Sequence, residues 1–466
     1  MNAITVTPEK NQKLWRTEFR AMALLAAPLI LSNLTMALIN VTDVILLGRY
    51  SAHALAASAL GVNLSMACAI FCMGVITASA PMMATEIGRN RHSVRDVRRT
   101  FRQAMWVAIT VTIPVWVLLW NAESLFLMLG QEPTLARDAA LFVSAYQWNI
   151  LPFLFFVILR NFVSALERPV WALVISLVAV LVNGVLNWAL IFGKFGFPSL
   201  GLWGAGIGST VTEVIMFVGM AWVVSVHPKF KRYHLFGRFW RVDWVRYREI
   251  WRLGLPIGVT MGLEGAVFTG AVFLMGLIDA DSVAAHAIAL QIAALSFMVP
   301  LGLAQATTVR VGIGYGRKDA AAIHRAGWTG FVLGVGFMAV MALLMWAMPR
   351  LLVGAFLDAS DPANAKVLSL AVSFLAIAAI FQIADGAQVV GAGMLRGLHD
   401  TTVPMYFALF GYWVIGIGAG AGLAFWGGMA GVGIWIGLAV GLAIVAVLMV
   451  WRWALRARIG LIPLAS

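Results

Sequence analysis

Three acidic residues, Asp43, Glu264 and Asp385, lie inside long apolar stretches of this chain. A carboxylate buried among apolar groups is costly, so it usually faces a cavity or a partner. Such a group can bind a metal cation, or it can take up and release a proton. These three side chains are therefore the first candidates for chemistry.

Glu264 and Asp385 are predicted to reach the same depth. Glu264 follows Arg252 by 12 residues, and Asp385 precedes Arg396 by 11. At the helical rise per residue, this puts the two acids roughly 18 Å and roughly 16 Å from basic residues at a membrane edge. Two carboxylates at one site do not both stay ionised cheaply, so either one holds a proton or a cation lies between them.

Asp43 is predicted to form a second polar cluster with Asn183 and Asn187, close to the opposite edge. Asp43 precedes Arg49 by roughly 9 Å of helix, and Asn187 precedes Lys194 by roughly 10 Å. Asn183 is one turn from Asn187, so both amides face the same way. The pattern indicates a hard-cation cage or a proton site. The alternatives are an interfacial acid for Asp43 and interhelical hydrogen bonds for the two amides.

Further residues within the spans are candidates for supporting roles. Pro28 shares its helix with Asp43, and we interpret it either as a hinge or as a static kink. Glu213 is an additional acid without an obvious partner. Four polar or aromatic side chains are candidates to line a substrate cavity: Asn63, Tyr146, Phe268 and Gln291.

The composition places these residues in a membrane. The chain is 62% hydrophobic and 11% charged, with a mean hydropathy of +0.90, which is typical of a polytopic membrane protein. Apolar runs of membrane length predict twelve transmembrane helices, at roughly 21–47, 54–84, 103–121, 137–160, 170–193, 201–226, 250–278, 283–310, 326–348, 364–393, 404–424 and 430–451. The predicted fold class is an all-α polytopic membrane protein.

The chain repeats itself at an offset of 228 residues. Ala27-Pro28 matches Leu255-Pro256, and Gly88-Arg89 matches Gly316-Arg317. Since each copy holds six spans, the halves are predicted to be parallel repeats, that is, two six-helix bundles. The predicted division is an N-terminal lobe at 1–226, a cytoplasmic linker at 227–249 and a C-terminal lobe at 250–466. The three acids have no acidic counterpart in the other half, so the chemistry is not duplicated.

The net charge of +13 is explained by topology. With both termini and the even-numbered connections on one side, all but five of the 33 Lys and Arg residues lie on that side. This positive-inside pattern predicts cytoplasmic termini and makes a nucleic-acid partner unnecessary. The first apolar run is too long for a signal peptide and is expected to be retained as a span.

Motifs in both halves resemble those of the multidrug and toxic compound extrusion (MATE) family of transporters. The first half carries Ala26-Ala27-Pro28 through Val41-Thr42-Asp43, and Asn183 to Asn187 followed by Gly193-Lys194-Phe195-Gly196. The second half carries Leu255-Pro256 with Glu264, and Phe381 to Asp385 leading to Gly393-Met394-Leu395-Arg396-Gly397. The order and spacing of these motifs extend over nearly the whole chain.

The resemblance implies an exporter of organic, mostly cationic compounds, driven by inward flow of sodium ions or protons. It implies cation coupling at Glu264 and Asp385 and at Asp43 with Asn183 and Asn187, and bending of the first helix at Pro28. Some relatives carry a Tyr where this chain has Phe381, so one hydroxyl ligand is missing here. We expect no cofactor or metal beyond the transported ion, and a monomer in the bacterial inner membrane.

Three other functions were considered. A major-facilitator exporter also has twelve helices, but Glu86-Ile87-Gly88-Arg89-Asn90-Arg91 lacks the Asp usual in its second-to-third loop. A lipid-linked sugar flippase would be expected to have a more basic cavity. A polytopic membrane enzyme is disfavoured because the spans contain no His-Glu-x-x-His motif and no nucleophile with a paired base.

Overall fold

Twelve helices long and apolar enough to cross a membrane make up most of the computed structural model, which describes residues 8–90, 93–357 and 361–462. Their bounds are α1 Asn11–Tyr50, α2 Ala52–Arg89, α3 Val94–Trp120, α4 Pro133–Ala165, α5 Val170–Phe192, α6 Gly201–Val226, α7 Trp244–Gly276, α8 Ala280–Gly316, α9 Ala320–Ala347, α10 Ala365–Gly397, α11 Thr402–Trp426 and α12 Ala430–Ala454. The described residues contain no β-strand. The predicted all-α class and the twelve spans are confirmed.

Several helices are longer than the predicted apolar runs or are interrupted. The first helix begins at Pro8, well before the apolar run, since an amphipathic or polar end can continue a helix into water. α2 breaks at Ala78 between segments Ala52–Thr77 and Ser79–Arg89. α11 contains two stretches of π-helix, Leu409–Ile417 and Gly422–Trp426. π-Helical turns are rare in proteins, and those that occur often lie at functional sites.

Contacts group the chain into two compact units. One unit contains Leu31–Met261, and the other contains the described residues up to Ile30 together with Gly262 onward. α1 and α7 therefore each contribute their first part to one unit and their second part to the other. The predicted lobe boundaries follow chain order instead, and they stay a prediction.

Close packing through glycine explains part of the glycine content. A Cβ on Gly441 of α12 would lie 2.6 Å from the carbonyl oxygen of Gly411 in α11, and a Cβ on Gly437 would clash with the backbone of Gly420. Small residues let membrane helices approach this closely. These glycines therefore let α11 and α12 pack closely against each other.

Each unit contains a cluster of ion-paired side chains. The two residues that the repeat aligns carry opposite charges in the two clusters. Arg310 of α8 donates from Nε to Glu18 of α1 at 2.8 Å. Arg246 of α7, which the repeat aligns with Glu18, donates to Asp96 at 2.9 Å and to Glu86 at 3.3 Å. Side chains between 12% and 36% exposed make up the Arg246 cluster. The repeat thus places opposite charges, Glu18 and Arg246, at aligned positions of α1 and α7, and each forms an ion pair.

The linker between α6 and α7 is held against α3 by side chains that donate to its backbone. Arg102 donates from Nε to the Leu235 carbonyl at 3.0 Å, and Trp106 donates from Nε1 to the Phe239 carbonyl at 3.1 Å. The Trp106 ring also stacks on Phe239, with centroids 5.4 Å apart. The segment is therefore a fixed part of its unit.

Candidate ion-coupling sites

Asp43 accepts hydrogen bonds at both carboxylate oxygens inside the Leu31–Met261 unit. Asn187 of α5 donates from Nδ2 to Oδ1 at 2.5 Å, and Ser209 of α6 donates from Oγ to Oδ2 at 3.0 Å. Asn187 is fully buried and Ser209 is 6% exposed. Three helices therefore position one carboxylate, and its hydrogen bonds favour the charged form.

Asn187 reaches Asp43 because α6 has a glycine where the amide passes. A Cβ on Gly208 would clash with Asn187 Oδ1. The Oδ1 atom is buried and has no hydrogen-bond partner in the part of the chain that is described. This amide oxygen lies on a residue that contacts the Asp43 carboxylate, and it is the kind of oxygen that binds a hard cation.

Asn183 lies one turn below on α5, as the sequence spacing predicts. Its side chain is fully buried and lies near the Asp43 carboxylate. Neither of its amide atoms completes a hydrogen bond within the described residues. An amide carbonyl oxygen at this place is the kind of ligand that a hard cation accepts.

Glu213 belongs with Asp43, although the sequence offered it no partner. It follows Ser209 by one helical turn on α6 and interacts electrostatically with Asp43. Its Oε2 atom is buried and has no hydrogen-bond partner among the described residues. Tyr146 of α4 is within electrostatic range of both acids and stacks on Phe142. Sequence reasoning missed Ser209, and the i, i+4 spacing of Ser209 and Glu213 was the available signal.

The second unit brings together Glu264 of α7 and Asp385 of α10. The two carboxylates interact electrostatically, and Asp385 is 5% exposed. Asp385 Oδ1 has no hydrogen-bond partner among the described residues. Because like charges repel, such a pair is suited to share a proton or a cation, and its role in ion coupling stays a prediction.

Two further groups that the sequence did not assign lie at this pair. The sequence predicts Arg396 to lie at the membrane edge. In the structure its side chain interacts electrostatically with Glu264. Tyr412, on the first π-helical stretch, interacts with both acids. Tyr412 as a whole is 1% exposed. Its hydroxyl has no hydrogen-bond partner among the described residues. With both carboxylates ionised, the two acids and one guanidinium carry one net negative charge.

Aromatic side chains pack together one helical turn before Asp385. Phe381, one turn before it, contacts Phe268 at 6.1 Å between centroids and Trp435 at 5.6 Å. The position that could have supplied a hydroxyl therefore supplies an apolar wall. The other two candidate cavity residues, Asn63 and Gln291, are exposed, and no described contact joins them to either cluster.

Pro28 lies within the continuous first helix, Pro8–Tyr50. The helix continues on both sides of the proline, so no break marks this position. The hinge at Pro28 stays a prediction.

Twelve membrane-length helices with acidic side chains inside the spans are typical of a membrane transporter. A family model described as MatE matches residues 28–189 and 256–421, more than half of the chain. The chain therefore belongs to the MATE family of transporters, and it is not an enzyme.

Curated relatives match along nearly the full length. A probable multidrug resistance protein NorM of Mesorhizobium japonicum is 53% identical over 460 residues, covering 99% of this chain and 98% of its own. A probable NorM of Brucella suis is 53% identical over 439 residues, covering 94% and 93%. A multidrug resistance protein NorM of Burkholderia vietnamiensis is 38% identical over 435 residues and covers 93% of each chain.

Solved structures share the fold at low sequence identity. A eukaryotic MATE transporter superposes with a TM-score of 0.84 at 20% identity, covering 95% of this chain and 96% of that one. A Vibrio cholerae MATE transporter gives a TM-score of 0.85 at 16% identity, covering 95% and 98%. These two likenesses confirm the predicted fold.

Proposed function

We propose that this chain exports organic, mostly cationic compounds by alternating access, and that inward flow of sodium ions or protons drives the export. The multidrug resistance names of its full-length relatives support efflux of drugs. The observation that carries the coupling is the pair of Glu264, which is half-buried, and Asp385, which is buried. The two acids interact electrostatically, and the Arg396 guanidinium interacts with Glu264.

The charge of this pair fits one monovalent ion. Arg396 balances one carboxylate, so a single sodium ion or proton neutralises the cluster. The Tyr412 hydroxyl and Asp385 Oδ1 have no protein partner within the described chain and are available to that ion. An organic cation carries the same charge, so it competes with the ion for the same carboxylates.

Asp43 is a second place for this competition. Asn187 and Ser209 satisfy its charged form, and Glu213 is a second acid that interacts with it electrostatically. An arriving cation or proton relieves the repulsion between the two acids. Its binding therefore lowers the affinity of the same unit for a cationic drug.

Coupling requires a difference in affinity between states, since a ligand that binds two states equally shifts neither. Each charge that moves inward through the membrane field gains about 2.3 kcal/mol per 100 mV. In the proposed cycle, the outward-open state takes up the ion and releases the drug. The inward-open state releases the ion and binds the next drug.

Everted membrane vesicles test the proposal. A fluorescent organic cation is added outside, and a sodium gradient and a pH gradient are imposed separately. Uptake driven by one of the two gradients is expected and identifies the ion. Uptake that ignores both gradients would overturn the coupled mechanism. The proposed location is the bacterial inner membrane with cytoplasmic termini, and the terminal residues 1–7 and 463–466 lie outside the described structure.

A further inference from the structure

A basic cavity of about 400 Å³ lies at one end of α5 and α6, lined by Leu166, Arg168, Pro228, Lys229, Phe230 and Arg232. We propose that it binds the phosphate headgroup of an anionic phospholipid. α5 begins at Val170, and Asn187 follows 17 residues later, roughly 26 Å along the helix. The cavity is thus separate from the Asp43 cluster, and the proposal goes beyond the transport function.

The walls of the cavity are fixed by backbone hydrogen bonds and aromatic packing. The Arg168 amide donates to the Val163 carbonyl at 2.8 Å and so closes the end of α4. The Phe230 amide donates to the His227 carbonyl at 2.9 Å and closes the turn after α6. Phe230 is fully buried and contacts Phe162 and His227. A ligand therefore enters a cavity that is already formed, which reduces the entropic cost of binding.

The cavity carries three positive charges that no acid neutralises in the described part of the chain. Arg168, Lys229 and Arg232 form none of the ion pairs found there. Arg232 is held in place by its hydrogen bond to the Tyr233 hydroxyl at 3.2 Å and by stacking over that ring. Glu167, the adjacent acid, does not line the cavity. Three donors of this kind suit a phosphate oxygen cluster.

The first turn of α5 adds to the positive potential. Pro169 precedes the helix and no side chain caps it. The first amides of a helix lack helical acceptors, and the helix dipole is positive at this end. The contribution of the helix supplements the cavity and its three basic side chains, which carry the proposal.

The surroundings favour a lipid over a soluble phosphate. The apolar faces of α5 and α6 begin at the cavity and are exposed, as acyl chains would require. On α5, Val170 is 53% exposed and Leu181 is 71% exposed; on α6, Trp222 is 66% exposed. The cavity lies in the fourth and sixth connections, on the basic side that the positive-inside pattern assigns to the cytoplasm. Basic cavities between membrane helices on that side bind anionic headgroups.

Native mass spectrometry of the purified full-length chain tests the proposal. Dioleoyl phosphatidylglycerol is titrated into detergent-solubilised wild type and into the triple variant Arg168→Gln, Lys229→Gln, Arg232→Gln. The matched control is Arg238→Gln, Arg241→Gln, Arg248→Gln, which removes three exposed charges from the linker and the start of α7. At about 1 kcal/mol per basic side chain, the triple variant is expected to bind roughly a hundredfold more weakly. The control is expected to bind within about twofold of wild type, because it leaves all cavity residues unchanged.

Two additional arms decide between ligands. Phosphatidylcholine is expected to bind more weakly than phosphatidylglycerol to wild type, and inorganic phosphate is expected not to displace the lipid at equal concentration. Thermal unfolding without lipid is measured for all three proteins to show that each is folded. The proposal is overturned if the triple variant and the control bind phosphatidylglycerol equally, if wild type does not distinguish the two lipids, or if inorganic phosphate alone displaces the lipid.

Discussion

Asn187 donates a hydrogen bond to Asp43 across two helices, with 2.5 Å between Nδ2 and Oδ1. Asp43 belongs to α1, and the amide comes from α5, where it is completely buried. This contact defines the geometry of the Asp43 cluster, and the expected effects of substitutions at Asp43 and Gly208 depend on it.

Replacing Asp43 by Asn is expected to abolish coupled efflux while the protein still folds and inserts. The substitution keeps the size of the side chain but removes the negative charge for which drug and ion compete. A loss of at least about tenfold in the initial efflux rate of a fluorescent cation is expected, which corresponds to about 1.4 kcal/mol. Asp138→Asn is the control, because Asp138 lies in the same unit but pairs with His53 at the surface. Equal efflux in the Asp43 variant and its control would contradict the role of Asp43.

Gly208→Ala is expected to damage the Asp43 site without touching Asp43. The new methyl group would clash with Asn187 Oδ1 and displace the amide from the carboxylate. Efflux is expected to fall to the level of Asn187→Ala. The control is Gly184→Ala in α5, whose Cβ would meet only Thr42 Cγ2 at 3.6 Å, an ordinary contact. Equal efflux rates in Gly208→Ala and Gly184→Ala would show that transport does not depend on the close approach of α6 and Asn187.

Arg246→Gln is expected to destabilise the protein by about 2 kcal/mol, measured from the thermal unfolding midpoint in detergent. Removal of the guanidinium leaves Asp96 and Asp243 with Arg99, and Glu86 with the exposed Arg89, as their remaining partners. Fully buried ion pairs cost about 3–5 kcal/mol when broken, and the partial exposure of this cluster reduces that cost. Arg248→Gln, an exposed change on the same helix, is expected to stay within about 0.5 kcal/mol of wild type. Equal unfolding midpoints would contradict a structural role for the cluster.

The start of α8 is expected to be stable over a wide pH range. Asp279 caps the helix by accepting from the Ser282 amide at 2.7 Å. Hydrogen bonds from Ser282, followed by the contact with Lys366, lower the pKa of Asp279 from 3.8 to about 2. A lowered pKa means that the stabilisation is fully present above 3.8 and is lost as the pH falls towards 2.

The test compares wild type with Asp279→Ala at several pH values. The alanine variant is expected to be less stable by about 1 kcal/mol, as is usual for a lost cap, and by the same amount at pH 7 and pH 5. Asp279→Asn, which keeps an uncharged cap, is expected to be closer to wild type. A stability difference that already disappears between pH 7 and pH 5 would contradict the lowered pKa.

The sequence predicts the scaffold and the principal acids because both depend on patterns that chain position alone reveals. Membrane-length apolar runs fix the twelve spans, and an acid within such a run stands out by its cost. The pairing of Glu264 with Asp385, and of Asp43 with Asn187, follows from depth reckoned along straight helices. Both pairs meet in the structure.

The remaining site residues depend on side-chain direction, which the sequence does not determine. Ser209 is an ordinary small residue until α6 packs against α1. Arg396 resembles a membrane-edge residue, but it interacts electrostatically with Glu264. Tyr412 owes its position to a π-helical stretch, and a single extra residue per turn is invisible to helical periodicity. The same limit explains why Glu213 lacked a partner at the level of sequence.

The central claim is that drug and coupling ion compete for the carboxylates, and its most direct measurement is the dissociation constant of a fluorescent organic cation on purified protein. The constant is measured without sodium at high pH, with saturating sodium, and at lowered pH, for wild type, Glu264→Gln and Asp385→Asn. Linkage between two ligands is typically worth about 1–3 kcal/mol. One of the two ions is therefore expected to raise the constant of wild type by about tenfold or more, and the effect is expected to disappear in both variants. A wild-type dissociation constant that neither ion changes would contradict the account.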